Sequence, residues 1–188
     1  MTRIAVLDPQ PAVRAGLTML LRAEPGLVPV GSAAGAGDGF ELVERLRPGV
    51  VLLEHRLLDG DGLALCRRLK ALPHGPRVII YTAEIDALMA RVAGADGLID
   101  KAAEPAELFE AIRVVARGGS ALPPLEREDM DHAAHRIDPE DLALLAMLVD
   151  GTPAGDVAET LHLDRRRVGR RIERMLGRLR HRTPSPVS

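Results

Sequence analysis

The first 118 residues alternate short apolar runs with stretches of helical period, and no other feature of the chain narrows its possible folds as much. The runs are IAVL (4–7), LVPV (27–30), VVLL (50–53), RVIIYT (77–82) and GLIDK (97–101). Between them, Val13, Leu17, Leu20 and Leu21, then Phe40, Leu42, Val43 and Leu46, then Leu63, Leu65 and Leu69 recur at helical spacing. A short segment around residues 88–92 follows, and a last one carries Leu108, Phe109, Ile112, Val115 and Ala116. An apolar run with no polar face reads as a strand covered on both sides. Five strand-then-helix units therefore predict an α/β fold, a five-stranded parallel, doubly wound sheet with helices on both faces.

In such sheets the working residues lie at the carboxyl ends of the strands. Four polar groups stand there: Asp8, Glu54, Thr82 and Lys101. A carboxylate ending a buried strand has to be paired or to do chemistry. Two acids, a hydroxyl and an ammonium suit Mg²⁺ and a phosphoryl group; they equally suit a charge-compensated sheet end in which Lys101 pairs with Glu54. Spacing alone leaves both readings open.

The 188 residues have room for one large domain or two small ones. The apolar runs are far too short to cross a bilayer, and the amino terminus has no signal-peptide core, so a cytoplasmic protein without a membrane partner is expected. The single Cys66 permits no internal disulfide; set among Leu63 and Leu69, it reads as a buried, inert thiol. Aromatics make up 2% of the chain and Trp is absent, which argues against base stacking on single-stranded nucleic acid. No cofactor or metal is expected. The loop Asp59-Gly60-Asp61-Gly62 lacks the other oxygen ligands of a calcium loop, and its acids are expected to cap the next helix. His132 and His135 have metal-like spacing but no third ligand nearby, and read as solvated residues.

The formal net charge of −2 hides a polarised carboxyl-terminal third. Residues 119–163 hold ten acids against Arg127 and Arg136, whereas residues 164–182 hold nine arginines against Asp164 and Glu173. Residues 119–136, entered through the Gly118-Gly119 pair and holding a Pro pair and scattered charge, read as a linker with at most a short helical turn. Three helices are expected over residues 137–182. The first, opened by Asp138-Pro139, buries Leu142, Leu145, Ala146 and Val149 and ends at Gly151. The second, opened by Thr152-Pro153, turns Ala154, Val157, Ala158 and Leu161 inward. Asp164 caps the third, whose apolar stripe is Val168, Ile172, Met175, Leu176 and Leu179. At about 100° per residue, Arg166, Gly169, Arg170, Glu173 and Arg174 fall on its other side. A short capped helix, a tight turn and a basic amphipathic helix make a helix-turn-helix, with the third helix entering the major groove of double-stranded DNA. The expected DNA contacts are Thr152, Arg165, Arg166, Arg167, Gly169, Arg170, Glu173 and Arg174. Residues 183–188, TPSPVS, are expected to be a disordered tail.

The segments RIAVLDPQPAVRAGL, PGVVLLEHRLLDGDGL, VIIYTAE and GADGLIDKAAEPAELFEAIRVVARGG resemble, in order and spacing, the receiver domain of two-component response regulators. The resemblance covers residues 1–118 and implies a flavodoxin-like fold. It also implies an acid pair holding Mg²⁺, an Asp accepting phosphate after the third strand, and a Thr and a Lys contacting the phosphoryl group. GTPAGDVAETLHLDRRRVGRRIERMLGRL is similar to the LuxR-type helix-turn-helix of the NarL/FixJ class. Asp8, Thr82 and Lys101 fit the receiver pattern. Pro9 replaces the second metal-binding acid, Glu54 stands at the phosphoacceptor position, and Leu58 and Leu98 replace the usual loop proline and switch aromatic. In the helix-turn-helix, Gly169 stands where the family often has a basic residue, and TPSPVS stands in place of a fourth helix.

The resemblance thus implies a degenerate phosphoacceptor pocket formed by Asp8, Pro9, Glu54, Thr82 and Lys101. The expected protein is a bacterial transcription regulator that acts without aspartyl phosphorylation and forms a homodimer through its receiver. One alternative is a pseudo-receiver whose DNA binding is gated by a small molecule or a protein. Another is a phosphatase-like enzyme using Asp8, although that chemistry wants a second Asp where this chain has Gln10.

Overall fold

A strand with apolar side chains on both faces needs a layer of helices on each, and the computed structural model shows how the chain supplies them. It describes residues 1–84 and 86–180. The strands are β1 (Thr2–Leu7), β2 (Leu27–Ala33), β3 (Val50–Leu53), β4 (Arg56–Leu57), β5 (Gly60–Asp61), β6 (Arg77–Tyr81) and β7 (Gly97–Ile99). Five of them form one parallel sheet in the order β2-β1-β3-β6-β7, while β4 and β5 pair as a small antiparallel ladder. Between them run α1 (Pro11–Ala23), α2 (Ala36–Leu46), α3 (Gly62–Lys70) and α4 (Ala87–Val92), and α5 (Pro105–Ala116) follows β7.

Successive side chains on a strand point to opposite faces, so each apolar run feeds two cores. Ile4, Val6, Val50, Leu52 and Ile79 meet Leu17 and Leu21 of α1 and Leu108, Ile112 and Val115 of α5. Their neighbours Ala5, Leu7, Val51, Leu53, Val78 and Ile80 meet α2, α3 and α4. The register Leu7↔Leu53↔Ile80 brings the carboxyl ends of β1, β3 and β6 level.

The acids of the 59–62 loop cap two helices rather than one. Asp61 accepts from the N–H groups of Leu63 and Ala64 at the start of α3, at 3.1 and 3.2 Å. Asp59 instead reaches back to the start of α2, accepting from Ala36 N–H and from Gly37 N–H at 3.1 Å. Gly62 is needed at the join: a Cβ there would lie 2.1 Å from the carbonyl oxygen of Glu54.

Beyond α5, Ala121 bridges Gly97 at the edge of the sheet. The stretch read as a linker then contains more structure than expected, an eight-residue helix α6 (Arg127–Ala134) opened by a capping box between Glu126 and Asp129. Its sequence lacks an apolar stripe because Ala133 is its one buried side chain. A 3-10 turn (Pro139–Asp141) leads into α7 (Leu142–Val149), followed by α8 (Ala154–Thr160) and α9 (Arg165–Arg180). The buried face of α7 is Leu144, Leu145 and Leu148; Leu142 and Ala146 are exposed and Val149 half-buried. LALLAMLV is apolar all round, so its spacing held no information about which face would be covered. Val157 and Ala158 of α8 are buried as expected, whereas Ala154 is exposed. All five residues of the expected α9 stripe are buried.

Arg171 is buried with them, and this was not anticipated. Its guanidinium bonds the carboxylate of Asp141, which is 1% exposed, and the carbonyl of Glu140. Removing one member of such a pair strands the other's charge away from water. Asp141→Ala is therefore expected to lower stability by roughly 3–5 kcal/mol in denaturant unfolding, and Asp141→Leu with Arg171→Met by clearly less.

Candidate functional site

Lys101 N–H bonds to the carbonyl of Thr82 at 3.3 Å, Thr82 N–H to that of Ile99 at 3.1 Å, and Glu54 N–H to that of Leu7 at 2.8 Å. Backbone pairing at the sheet end thus gathers Asp8, Glu54, Thr82 and Lys101, and all of them except Lys101 are buried. The Lys101 ammonium lies 2.6 Å from Asp8 Oδ2 and 2.5 Å from Glu54 Oε2, bridging the two carboxylates. Asp8 Oδ1 accepts from Gln10 N–H at 2.8 Å. Glu54 Oε1 accepts from the Thr82 hydroxyl at 2.7 Å and from His55 N–H at 2.6 Å, with His55 Nδ1 at 2.7 Å. That same ring nitrogen is 2.7 Å from Thr82 Oγ1.

His55 is thus part of the site, although its sequence gave no signal beyond its place next to Glu54. Pro9 sits beside Asp8 and adds no oxygen ligand. The whole cluster is satisfied from within. Burial works to raise the Glu54 pKa, but hydrogen bonds from His55, Lys101 and Thr82, together with the Lys101 charge, outweigh it and hold the carboxyl well below the usual range. Burial likewise disfavours the Lys101 ammonium, and bonds to Asp8 and Glu54 reverse the balance and raise its pKa.

The second set of expected residues lies on α9 and around it. Arg165, Arg166, Arg167, Arg170 and Arg174 are exposed. Gly169 and Glu173 lie elsewhere on the helix surface and touch the α/β part. Arg67 of α3, a residue the sequence did not single out, donates to the Gly169 carbonyl at 2.8 Å and lies 3.2 Å from Glu173 Oε1. A Cβ at position 169 would stand 3.3 Å from the Arg67 guanidinium, so the glycine suits this close approach. Arg180 pairs with Asp61, and α4 packs against both α7 and α9. Thr152 is half-buried at the turn between α7 and α8. The basic helix is therefore docked, one edge against the α/β part and its arginine edge open to solvent.

A five-stranded parallel sheet with an acid, an acid-bearing loop, a threonine and a lysine at its carboxyl ends, followed by a helical region, defines the class. The response regulator receiver domain matches residues 4–113, and the chain belongs to the response regulator family. It is 32% identical to the response regulator RamR of Streptomyces coelicolor over 168 residues, covering 88% of this chain and 83% of RamR. It is 31% identical to the DNA-binding transcriptional activator DevR/DosR of Mycobacterium tuberculosis, covering 95% of this chain and 88% of that protein. A LuxR-family two-component response regulator from Aurantimonas superposes with a TM-score of 0.62 at 31% identity, over 66% of this chain and 91% of that one. These relatives are regulators, not enzymes.

The Mg²⁺ that the family resemblance implies does not fit these residues. Pro9 has no ligand oxygen, Asp8 Oδ1 is held by the backbone, Glu54 Oε1 by Thr82 and His55, and the Lys101 ammonium stands between Asp8 Oδ2 and Glu54 Oε2. Mg²⁺ needs near-octahedral oxygen coordination. The Asp8 phosphatase alternative finds no support in an aspartate whose two oxygens are both engaged.

The pH dependence follows from the signs of the shifts. Glu54 is depressed in the folded protein, so its contribution is complete above the ordinary glutamate value of 4.5 and is lost as pH falls through the folded value. Lys101 is raised, so its contribution is complete below 10.5 and lost as pH rises above that. Glu54→Gln is expected to cost about 2 kcal/mol at neutral pH. In thermal melts, the gap between variant and wild type should close as pH drops below the ordinary glutamate range.

Proposed function

We propose that this chain is a DNA-binding transcriptional regulator whose receiver is held in one state without aspartyl phosphorylation. The observation that carries this is the reach of the Glu54 carboxylate. Its two oxygens occupy the Thr82 hydroxyl and the Lys101 ammonium, the groups that the family resemblance assigns to an incoming phosphoryl. A glutamate carries one charge where a phosphoryl carries nearly two, but with Asp8 beside it and one Lys101 ammonium between them the cluster keeps a net negative charge.

On this reading residues 1–118 are the receiver, 119–136 the connector and 137–182 the DNA-binding domain; residues 181–182 and the expected tail 183–188 lie outside the described residues. DNA contacts come from Thr152, Arg165, Arg166, Arg167, Gly169, Arg170, Glu173 and Arg174. The exposed arginines of α9 favour this, as does the DNA-binding activity named for the DevR/DosR relative. Arg166 or Arg170 reads bases, and Arg165 a phosphate. Self-association through the receiver goes with it, and the exposed Met19 and Leu20 of α1 offer an apolar surface for that. Among the described residues no helix is long and apolar enough to cross a membrane; a cytoplasmic location belongs to the same proposal.

Two measurements test it. Acetyl phosphate with Mg²⁺ should leave no phosphoryl adduct detectable by mass spectrometry on the wild type or on Glu54→Asp, whereas Glu54→Asp with Pro9→Asp should become phosphorylated. An adduct on wild-type Glu54 or Asp8 overturns the phosphorylation-independent reading. Arg67→Ala frees Gly169 and Glu173, and is expected to tighten binding to genomic DNA fragments by about 1–2 kcal/mol, roughly five- to thirtyfold. Unchanged affinity would mean that the docked helix is no obstacle to DNA.

A further inference from the structure

A cleft of about 710 Å³ separates the ends of α3 and α4 from the α7–α8 turn and the start of α9. That volume falls within the range of small-molecule sites. Leu72, Pro73, Leu122 and Val149 give it apolar walls. Its charges do not balance: Arg67, Lys70, Arg77, Arg91 and Arg165 line it against Asp96 and Asp150.

The pairing inside the cleft shows which cations are spoken for. Asp96 takes Lys70 and Arg77, each at 2.8 Å. Arg67 is committed to Gly169 and Glu173. Among the described residues Arg91 has only carbonyl partners, Pro123 at 2.8 Å and Val149 at 3.4 Å, and its Nε–H is buried without an acceptor. Among the same described residues Arg165 has only a loose 3.9 Å contact with Glu159, both side chains largely exposed. Asp150 is exposed and makes no ion pair among the described residues. By contrast, both cations lining the smaller cavity beside His55, about 470 Å³, are paired, Arg56 with Glu84 at 2.9 Å and Arg180 with Asp61.

We propose that the cleft between the two parts binds an amphipathic organic anion. The anionic head lies against Arg91 and Arg165, and the apolar body lies along Leu72, Leu122 and Val149. Arg recognises carboxylate, sulfonate and phosphate oxygens through its planar fork, and a cation held only by carbonyl dipoles lacks the countercharge that such a head supplies.

The regulatory consequence rests on the DNA-binding reading above. Thr152, Arg165 and Gly169 line this cleft and are also proposed DNA contacts. An occupied cleft ties α8 and α9 to α3 and α4, so ligand and DNA exclude each other. By linkage, each weakens binding of the other.

The test uses the full-length protein with 8-anilinonaphthalene-1-sulfonate as probe and N-phenyl-1-naphthylamine as its uncharged counterpart. Fluorescence titration should show one saturable site for the sulfonate and at least tenfold weaker binding of the neutral compound. Arg91→Met, which removes the charge, and Leu122→Trp, which fills the cleft, should each weaken the sulfonate at least tenfold, in proteins whose circular dichroism matches the wild type. Equal binding of the neutral compound, or sulfonate binding unchanged in either variant, overturns the site. Retention of genomic DNA fragments should fall as the sulfonate saturates, and unchanged retention overturns the mutual exclusion. If the protein alone retains no DNA, the DNA-binding reading fails while the fluorescence result still decides the cleft.

Discussion

The Lys101 ammonium is what allows two carboxylates to be buried at the ends of adjacent strands. β1 and β3 are hydrogen-bonded neighbours, so Asp8 and Glu54 are brought together by backbone pairing whether or not their charges suit each other. Two adjacent anions away from water would push one of them to protonate. Lys101, delivered from the turn after β7, lies within 2.6 Å of both and gives the two carboxylates a shared cation. The Thr82 hydroxyl and His55 saturate the remaining Glu54 oxygen. A site in which every carboxylate oxygen already has a donor ties three strands and the Lys101 turn together as a structural clasp.

The same economy of partners governs how the basic helix sits. Its apolar stripe is covered by α8 and α4, which leaves the polar surface to be divided. One edge meets Arg67 through a backbone carbonyl and a carboxylate, and the other carries arginines most of which make no ion pair among the described residues. Gly169 suits the closeness of the first contact, since a Cβ there would stand 3.3 Å from the guanidinium. A departure from the family pattern that looks like a lost DNA contact is, in this fold, a point of approach between the two parts. The α/β part thus holds one edge of α9 through Arg67 and its end through Asp61.

Much of the fold was legible because the apolar period is a direct record of burial. VVLL could only be a strand covered on both faces, and the α9 stripe could only face inward. Asp8, Glu54, Thr82 and Lys101 were legible for the same reason, as the polar residues that end such runs. Where composition is uniform the record is blank. LALLAMLV has no polar face to mark its exposed side, and α6 has too few apolar residues to mark its buried one. The β4–β5 ladder is four residues long and carries no period at all.

By itself, then, the sequence determined the alternation of strands and helices, the positions at the sheet end, and the amphipathic basic helix, because each is set by local spacing along one element. Only the tertiary structure decided that His55 closes the Glu54 cluster, that Arg171 is buried against Asp141, and that Arg67 holds the edge of α9. These contacts join residues from one to 106 positions apart, and the distant ones depend on how whole elements pack. A side chain's partner across an interface is fixed by the relative placement of two rigid bodies, and no period along either of them encodes it.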